Sequence, residues 1–154
     1  MPRSSTLSKL AQVVPDQWGL VTRRQAEEAA IANRAFPVVF AAHVSATAAF
    51  YERLGFERHF QLPPEGEPGY VGLRRGAYEV AVVAAGWPSE QYGASVGEGV
   101  RFELFVYVDR VDELVEGMRA DGVTVLREPA DMPWGERVAY VADPDGNPVA
   151  LAQT

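Results

Sequence analysis

The chain has 154 residues, no cysteine and a formal net charge of −7 at pH 7. This length suffices for a compact domain whose core needs no disulfide. The acidic balance argues against non-specific nucleic-acid binding, which depends on cationic side chains facing phosphates. The sequence lacks the apolar segment of a signal peptide and that of a membrane-spanning helix. We therefore expect a cytoplasmic protein without membrane association, whose acidic charge favours cationic ligands.

Residues 1–34 are predicted to form an N-terminal helical extension, with short helices at residues 5–14 and 22–32. Residues 16–26 resemble the opening of the winged-helix domain in abortive-infection antitoxins. This resemblance implies a docking arm for nucleic acid or protein, with the rest of the protein acting as a ligand sensor. We expect instead an extension that packs Trp18 and Leu10 on the domain or on a second subunit, without nucleic-acid binding, and we keep the docking arm as the alternative.

A short amphipathic helix that ends at Gly55 organises the first half of the sequence. An apolar run of strand length, residues 36–42, precedes this helix, and Ser45 is its predicted N-cap. Glycine ends helices because it adopts the left-handed conformation at little cost. Three strands are predicted after Gly55, the last two as a hairpin over residues 70–84. Together these elements predict a βαβββ module at residues 36–85.

The same order of elements recurs over residues 100–153, with Gly122 as the second helix stop. Its last hairpin turns at residues 143–147, whose sequence DPDGN is a strong turn signal. The linker at residues 85–99 is predicted to be a loop, and so are residues 129–135. Tandem βαβββ modules of this kind predict an α+β fold.

Three motifs in this framework point to a known family. The segments FYERLGF (residues 50–56), WGER (residues 134–137) and DPDGN (residues 143–147) resemble the vicinal oxygen chelate superfamily of glyoxalases, bleomycin-resistance proteins and extradiol dioxygenases. The resemblance implies one domain over residues 35–154, in which both modules form a cupped mixed sheet. It also implies a homodimer with cups across the subunit interface. It names no reaction, because the superfamily includes lyases, epimerases, dioxygenases and metal-free drug binders.

The family's enzymes hold a divalent metal with four side chains on four strands, and the resemblance places these positions one by one. The first-strand positions fall on Phe36, which has no donor atom, and on Glu103, which has one. The last-strand positions fall on Ala150 and on Ala81, or on Glu79 if that hairpin is shifted by two residues. Divalent metal sites need several protein donors, so we expect no metal, no cofactor and no catalytic residue. The alternative is a lyase or dioxygenase with an atypical or partner-supplied metal site.

The remaining feature is an apolar, aromatic cup, which resembles the bleomycin-resistance branch of the family. Strand alternation and the family's geometry place the predicted ligand-binding residues inside the cup or at its rim: Phe36, Val38, Phe40, Tyr70, Glu103, Phe105, Tyr107 and Trp134. Pockets for drug-sized ligands are concave and mostly apolar. We therefore predict a metal-independent protein that sequesters an amphipathic, antibiotic-like molecule, with a cationic one favoured by the protein's charge. The alternative for each aromatic residue is ordinary core.

Glu103 is the acidic residue among these positions. An unpaired carboxylate in an apolar strand is costly to bury, so it must meet a cation, a proton or water. Arg101, on the same face, and Arg74, in the other module, are the predicted ion-pair partners. The alternative is that Glu103 attracts a cationic ligand.

Overall fold

The computed structural model describes residues 13–16, 19–24 and 34–154. The chain divides into two units, Met1–Ala35 and Phe36–Thr154. In the first unit, strands β1 (Val13–Asp16) and β2 (Gly19–Thr22) pair antiparallel, with Val14 opposite Val21. The helix predicted at residues 5–14 is therefore wrong at its C-terminal end, where two adjacent β-branched valines favour a strand.

The rest of the predicted helical extension is only partly described. Arg23 and Arg24 are helical, as predicted for the second helix. Thr22, the predicted first residue of that helix, instead ends β2. Residues 5–12 and 25–32 of the two predicted helices, and Trp18, lie outside the described residues, as does part of the winged-helix resemblance. The packed extension therefore stays a prediction, and the docking arm stays its alternative.

Two modules make up the second unit. The first consists of β3 (Val38–Ala41), α1 (Val44–Glu52), β4 (Glu57–Leu62), β5 (Tyr70–Arg75) and β6 (Tyr78–Ala84). A linker helix, α2 (Trp87–Tyr92), precedes the second, which consists of β7 (Leu104–Tyr107), α3 (Val111–Ala120), β8 (Val125–Asp131), β9 (Arg137–Ala142) and β10 (Pro148–Gln153).

Each module forms one four-stranded mixed sheet, in the orders β3-β6-β5-β4 and β7-β10-β9-β8. In both sheets the first strand pairs parallel with the last, and the other neighbours pair antiparallel. The predicted α+β class and the tandem βαβββ duplication are confirmed.

The helix ends are partly as predicted. Gly55 and Gly122 follow α1 and α3 with φ angles of 87° and 86°, as expected for left-handed helix stops. The predicted N-cap at Ser45 is wrong, because α1 begins at Val44, and His43, two residues before Ser45, is its N-cap. The Ser45 hydroxyl instead donates to Glu67 Oε2 at 2.9 Å. None of the helices in the described part of the chain is long and apolar enough to span a membrane.

Two segments predicted as loops contain regular structure. Helix α2 lies within the linker and ends at Gly93, which has a φ angle of 72°. Strand β8 continues to Asp131, because Ala130 and Asp131 pair with Val138 and Arg137 on β9. The second loop therefore covers residues 132–136 instead of 129–135.

One apolar core, shared by both modules, lies beneath the helices. Val39 and Val106, at the centres of the two first strands, are buried in it. Their neighbours Val38 and Phe105 lie on the opposite faces of these strands and remain 39% and 43% exposed. The sheets therefore follow the predicted alternation, and each module has an apolar face directed away from the helices.

The turn at residues 143–147 joins the second module to α1. Asp143 is 4% exposed, and its Oδ2 accepts a hydrogen bond from the Tyr51 hydroxyl at 2.8 Å. Burial and the adjacent Asp143 carboxylate raise the pKa of Tyr51 far above its usual range. Asp145 accepts hydrogen bonds from the Ala42 backbone N–H at 3.0 Å and the Thr47 hydroxyl at 3.1 Å. This turn thus fixes the position of one module against the other.

Candidate ligand-binding site

The face of the second module that points away from α3, called the second-module face below, has a closed apolar floor. Its buried side chains form a separate cluster, against which Tyr140 packs: Met132, Val138, Ala150 and Ala152. On the central strand β10, Ala150 pairs with Phe105 on one side and Tyr140 on the other. The small side chains of Ala150 and Ala152 therefore lie on the central strand of this face.

Large aromatic side chains lie exposed beside this floor. Phe105, Tyr107 and Trp134 are 43%, 50% and 62% exposed. The Phe105 and Tyr107 rings contact each other with centroids 5.5 Å apart and planes tilted by 56°. These three predicted site residues thus belong to one module, and each remains substantially exposed.

A glutamate at the tip of the β8–β9 hairpin holds two of these aromatic residues. Glu136 Oε1 accepts a hydrogen bond from the Tyr107 hydroxyl at 2.5 Å, and Oε2 accepts one from Trp134 Nε1 at 2.9 Å. The hydrogen bond to Glu136 raises the pKa of Tyr107 above its ordinary value. Gly135, with a φ angle of 97°, makes the turn that brings Trp134 and Glu136 together. Sequence reasoning missed Glu136, although it lies in the WGER motif.

The hairpin is held from the other side of β9 by Arg137. Its Nε and Nη2 donate to the two carboxylate oxygens of Asp112 on α3, each at 2.7 Å, and its Nη1 donates to Asp131 at 3.0 Å. Hydrogen bonds from Arg137 lower the pKa of the Asp112 carboxyl. This network anchors the base of the loop that carries Trp134 and Glu136.

The corresponding face of the first module, called the first-module face below, carries a row of aromatic residues. The Tyr70 ring lies 5.7 Å from Phe60 in an edge-to-face arrangement and 6.4 Å from Trp87. Val38 and Phe40 also lie on this side of β3. They contribute, together with residues of the second module, to a small cavity of about 110 Å³ between the modules. The predicted residues Phe36, Val38, Phe40 and Tyr70 thus belong to the first module, separate from the aromatic group around Glu136.

The register of the two sheets shows which positions correspond between the modules. Val38 pairs with Ala81 on β6, and Phe105 pairs with Ala150 on β10. Ala81 is therefore the counterpart of Ala150, and neither methyl group can ligate a metal. Alternation also directs Glu79 to the same side of β6 as Ala81.

The other donor positions do not complete a metal site. Phe36 offers no donor atom, and Glu79 forms an ion pair with Arg74 at 3.2 Å. Among the residues that the structure describes, no group of three or more His, Cys, Asp or Glu side chains is placed to hold a metal ion. The residues present do not fit the divalent metal of the family's enzymes.

The ion pairs predicted for Glu103 are wrong. Arg101 Nη2 lies 3.9 Å from Asp145 Oδ1, and Arg74 pairs with Glu79. Glu103 lies just before β7 and is exposed, so water solvates its carboxylate and no buried partner is required.

Comparison with known proteins identifies the family. The sequence model of the Glyoxalase/Bleomycin resistance protein/Dioxygenase superfamily matches residues 33–151. A glyoxalase/bleomycin resistance protein/dioxygenase family enzyme from Burkholderia phytofirmans PsJN is 25% identical, with a TM-score of 0.66 over 77% of this chain and 95% of that one. A glyoxalase-related enzyme from Fulvimarina pelagi is also 25% identical, with a TM-score of 0.66 over 79% of this chain and 88% of that one.

A more distant structure shows the same fold. Lactoylglutathione lyase from Agrobacterium tumefaciens is 22% identical, with a TM-score of 0.59 over 79% of this chain and 93% of that one. No curated protein matches the sequence. The match of the family model to residues 33–151 and the tandem βαβββ modules agree with the three motifs at residues 50–56, 134–137 and 143–147. The chain therefore belongs to the Glyoxalase/Bleomycin resistance protein/Dioxygenase superfamily.

Proposed function

We propose that this protein binds a small amphipathic molecule on the second-module face and sequesters it, in the manner of the bleomycin-resistance proteins. The observation that carries this proposal is the exposure of Phe105, Tyr107 and Trp134 beside a buried apolar floor. Exposed apolar patches of this kind mark ligand or partner sites. Sequestration needs affinity alone, and the residues at the family's donor positions favour binding without a metal.

The proposal includes a second copy of the chain. A pocket for a drug-sized ligand buries most of the ligand's surface, whereas the second-module face is open in the single chain. The first-module face offers a complementary apolar surface around Tyr70. We place the first-module face of one protomer opposite the second-module face of its partner. Twofold symmetry then produces two equal cups.

Binding can be tested by titrating the protein with bleomycin and a panel of cationic and neutral amphipathic drugs. We expect quenching of intrinsic fluorescence that is lost in Trp134→Phe and unchanged by a chelator. Tyr78→Phe is a matched control, because Tyr78 is 77% exposed and lies on the other side of its strand from Ala81. Absence of any response across the panel, or a stoichiometric metal ion required for binding, would contradict the proposal.

The shared cup can be tested by mixing two inactive variants. Tyr70→Ala removes the centre of the first-module face, and Trp134→Ala removes the exposed indole of the second. If each cup uses one face from each protomer, refolding an equal mixture restores one cup in each mixed dimer, which is about a quarter of all sites. Cups built within one chain would stay inactive in every dimer, and that result would refute the shared arrangement.

A further inference from the structure

We infer that Glu136 selects the ligand, and that the selected group is a protonated primary or secondary amine carried on a flat apolar body. This inference rests on the proposed function and specifies its ligand class. The sequence suggested Glu103 as the carboxylate that attracts a cationic ligand. We assign this role instead to Glu136, which contacts two aromatic side chains.

The Glu136 carboxylate is oriented and only partly used. One hydrogen bond reaches each oxygen, from the Tyr107 hydroxyl at 2.5 Å and from Trp134 Nε1 at 2.9 Å. A carboxylate offers about four acceptor positions, so about two remain for a ligand. Because Tyr107 and Trp134 fix both oxygens, the remaining acceptor positions are held in place before a ligand binds.

The charge of Glu136 is not neutralised by its neighbours. Both of its hydrogen-bond donors are uncharged, and within the described ranges it forms no ion pair with lysine, arginine or histidine. The adjacent Arg137 is engaged by Asp112 and Asp131 on the other side of β9. A half-buried, unpaired carboxylate in an apolar surface favours a cation as its partner.

The surroundings of Glu136 also suit an amine with an apolar body. The rings of Tyr107 and Trp134 adjoin the carboxylate and are 50% and 62% exposed. An ammonium group beside them gains cation–π attraction, and its N–H groups can donate to Glu136. A flat apolar body would then lie against Phe105 and the alanines of β10. A neutral amide analogue would lose both the charge and the cation–π attraction.

The experiment compares three fluorescent probes with one dansyl body: dansylcadaverine, which carries a primary ammonium, its N-acetyl derivative and its trimethylammonium derivative. For the full-length protein we expect the ammonium probe to bind about tenfold more tightly than the acetyl probe, with the trimethylammonium probe between them. Glu136→Gln should abolish this preference. Glu103→Gln should retain it, because Glu103 is an exposed carboxylate on the same module without these aromatic contacts.

The outcomes separate this inference from the proposed function. If all three probes bind wild type equally, the inference is overturned while the binding function stands. If none binds, both are overturned. Loss of the preference in Glu103→Gln instead would assign the anion to Glu103. Tyr107→Phe provides a second measurement that does not depend on the folding of Glu136→Gln. It keeps the charge of Glu136, and the preference for the ammonium probe should persist.

Discussion

Replacing Tyr51 by phenylalanine tests how the two modules are joined. Tyr51 is fully buried in the shared core, and its hydroxyl donates to Asp143 Oδ2 at 2.8 Å. Phenylalanine keeps the ring and its edge-to-face contacts with Phe50 and Phe56. The substitution therefore removes one buried hydrogen bond to a carboxylate and little packing.

The size of the effect follows from the groups that remain around Asp143. A hydrogen bond to a charged group contributes about 1.5–3 kcal/mol to stability. Asp143 Oδ2 keeps the side-chain amide of Asn147 at 3.0 Å, and Oδ1 keeps two backbone N–H donors. We therefore expect a loss near the lower end of this range, and a melting temperature lowered by about 3–12 °C across the whole range.

Urea denaturation at pH 7 measures this loss, with Tyr78→Phe as the control because that tyrosine is exposed. The control should change the free energy of unfolding by less than about 0.5 kcal/mol. Since the folded protein raises the pKa of Tyr51, its contribution is present below the unfolded pKa of about 10 and declines as pH rises above it. A Tyr51→Phe protein as stable as the control would refute the role assigned to this contact.

Three further predictions concern the hairpin that carries the candidate site. The phenolate of Tyr107, followed by absorbance at about 295 nm, should form above the usual tyrosine pKa of about 10. Glu136→Gln should lower the pKa of Tyr107 towards that usual value. Arg137→Ala should destabilise the protein at neutral pH, because Arg137 lowers the pKa of Asp112 in the folded state. Acid-unfolding curves should show the difference in unfolding free energy between variant and wild type shrinking as pH falls below about 4, where Asp112 becomes protonated. Gly135→Ala should cost about 1–2 kcal/mol in urea denaturation, because its φ angle of 97° strains any residue with a Cβ.

The sequence predicted the fold through features that act locally and recur. Gly55 and Gly122 stop helices because of their own backbone freedom, and alternating apolar residues identify buried strands without knowledge of their partners. Predictions that depended on distant contacts were less accurate. Ser45 was expected to cap a helix, but Glu67, twenty-two residues away, binds its hydroxyl.

The candidate site was harder to predict because its parts meet only through the hairpin geometry. Tyr107 and Trp134 were predicted separately, one from strand alternation and the other from a family resemblance. Their link through Glu136 spans 29 residues and depends on the register between β8 and β9, which single-sequence patterns do not determine. Glu103 drew attention because it interrupts an apolar strand, but that reasoning assumed burial, and Glu103 is exposed.

The duplication explains why the proposed cup would hold its ligand in one orientation. Both modules have the same topology and equivalent strand registers. The carboxylates on their two faces nevertheless differ in the side chains that they contact. Glu79 on the first-module face is neutralised by Arg74, whereas Glu136 on the second has only uncharged donors. In the proposed dimer, one wall of each cup therefore carries a carboxylate paired with arginine, and the other carries Glu136, whose hydrogen-bond donors are uncharged. An amphipathic amine would place its cationic end at Glu136 and its apolar end beside Tyr70 of the partner.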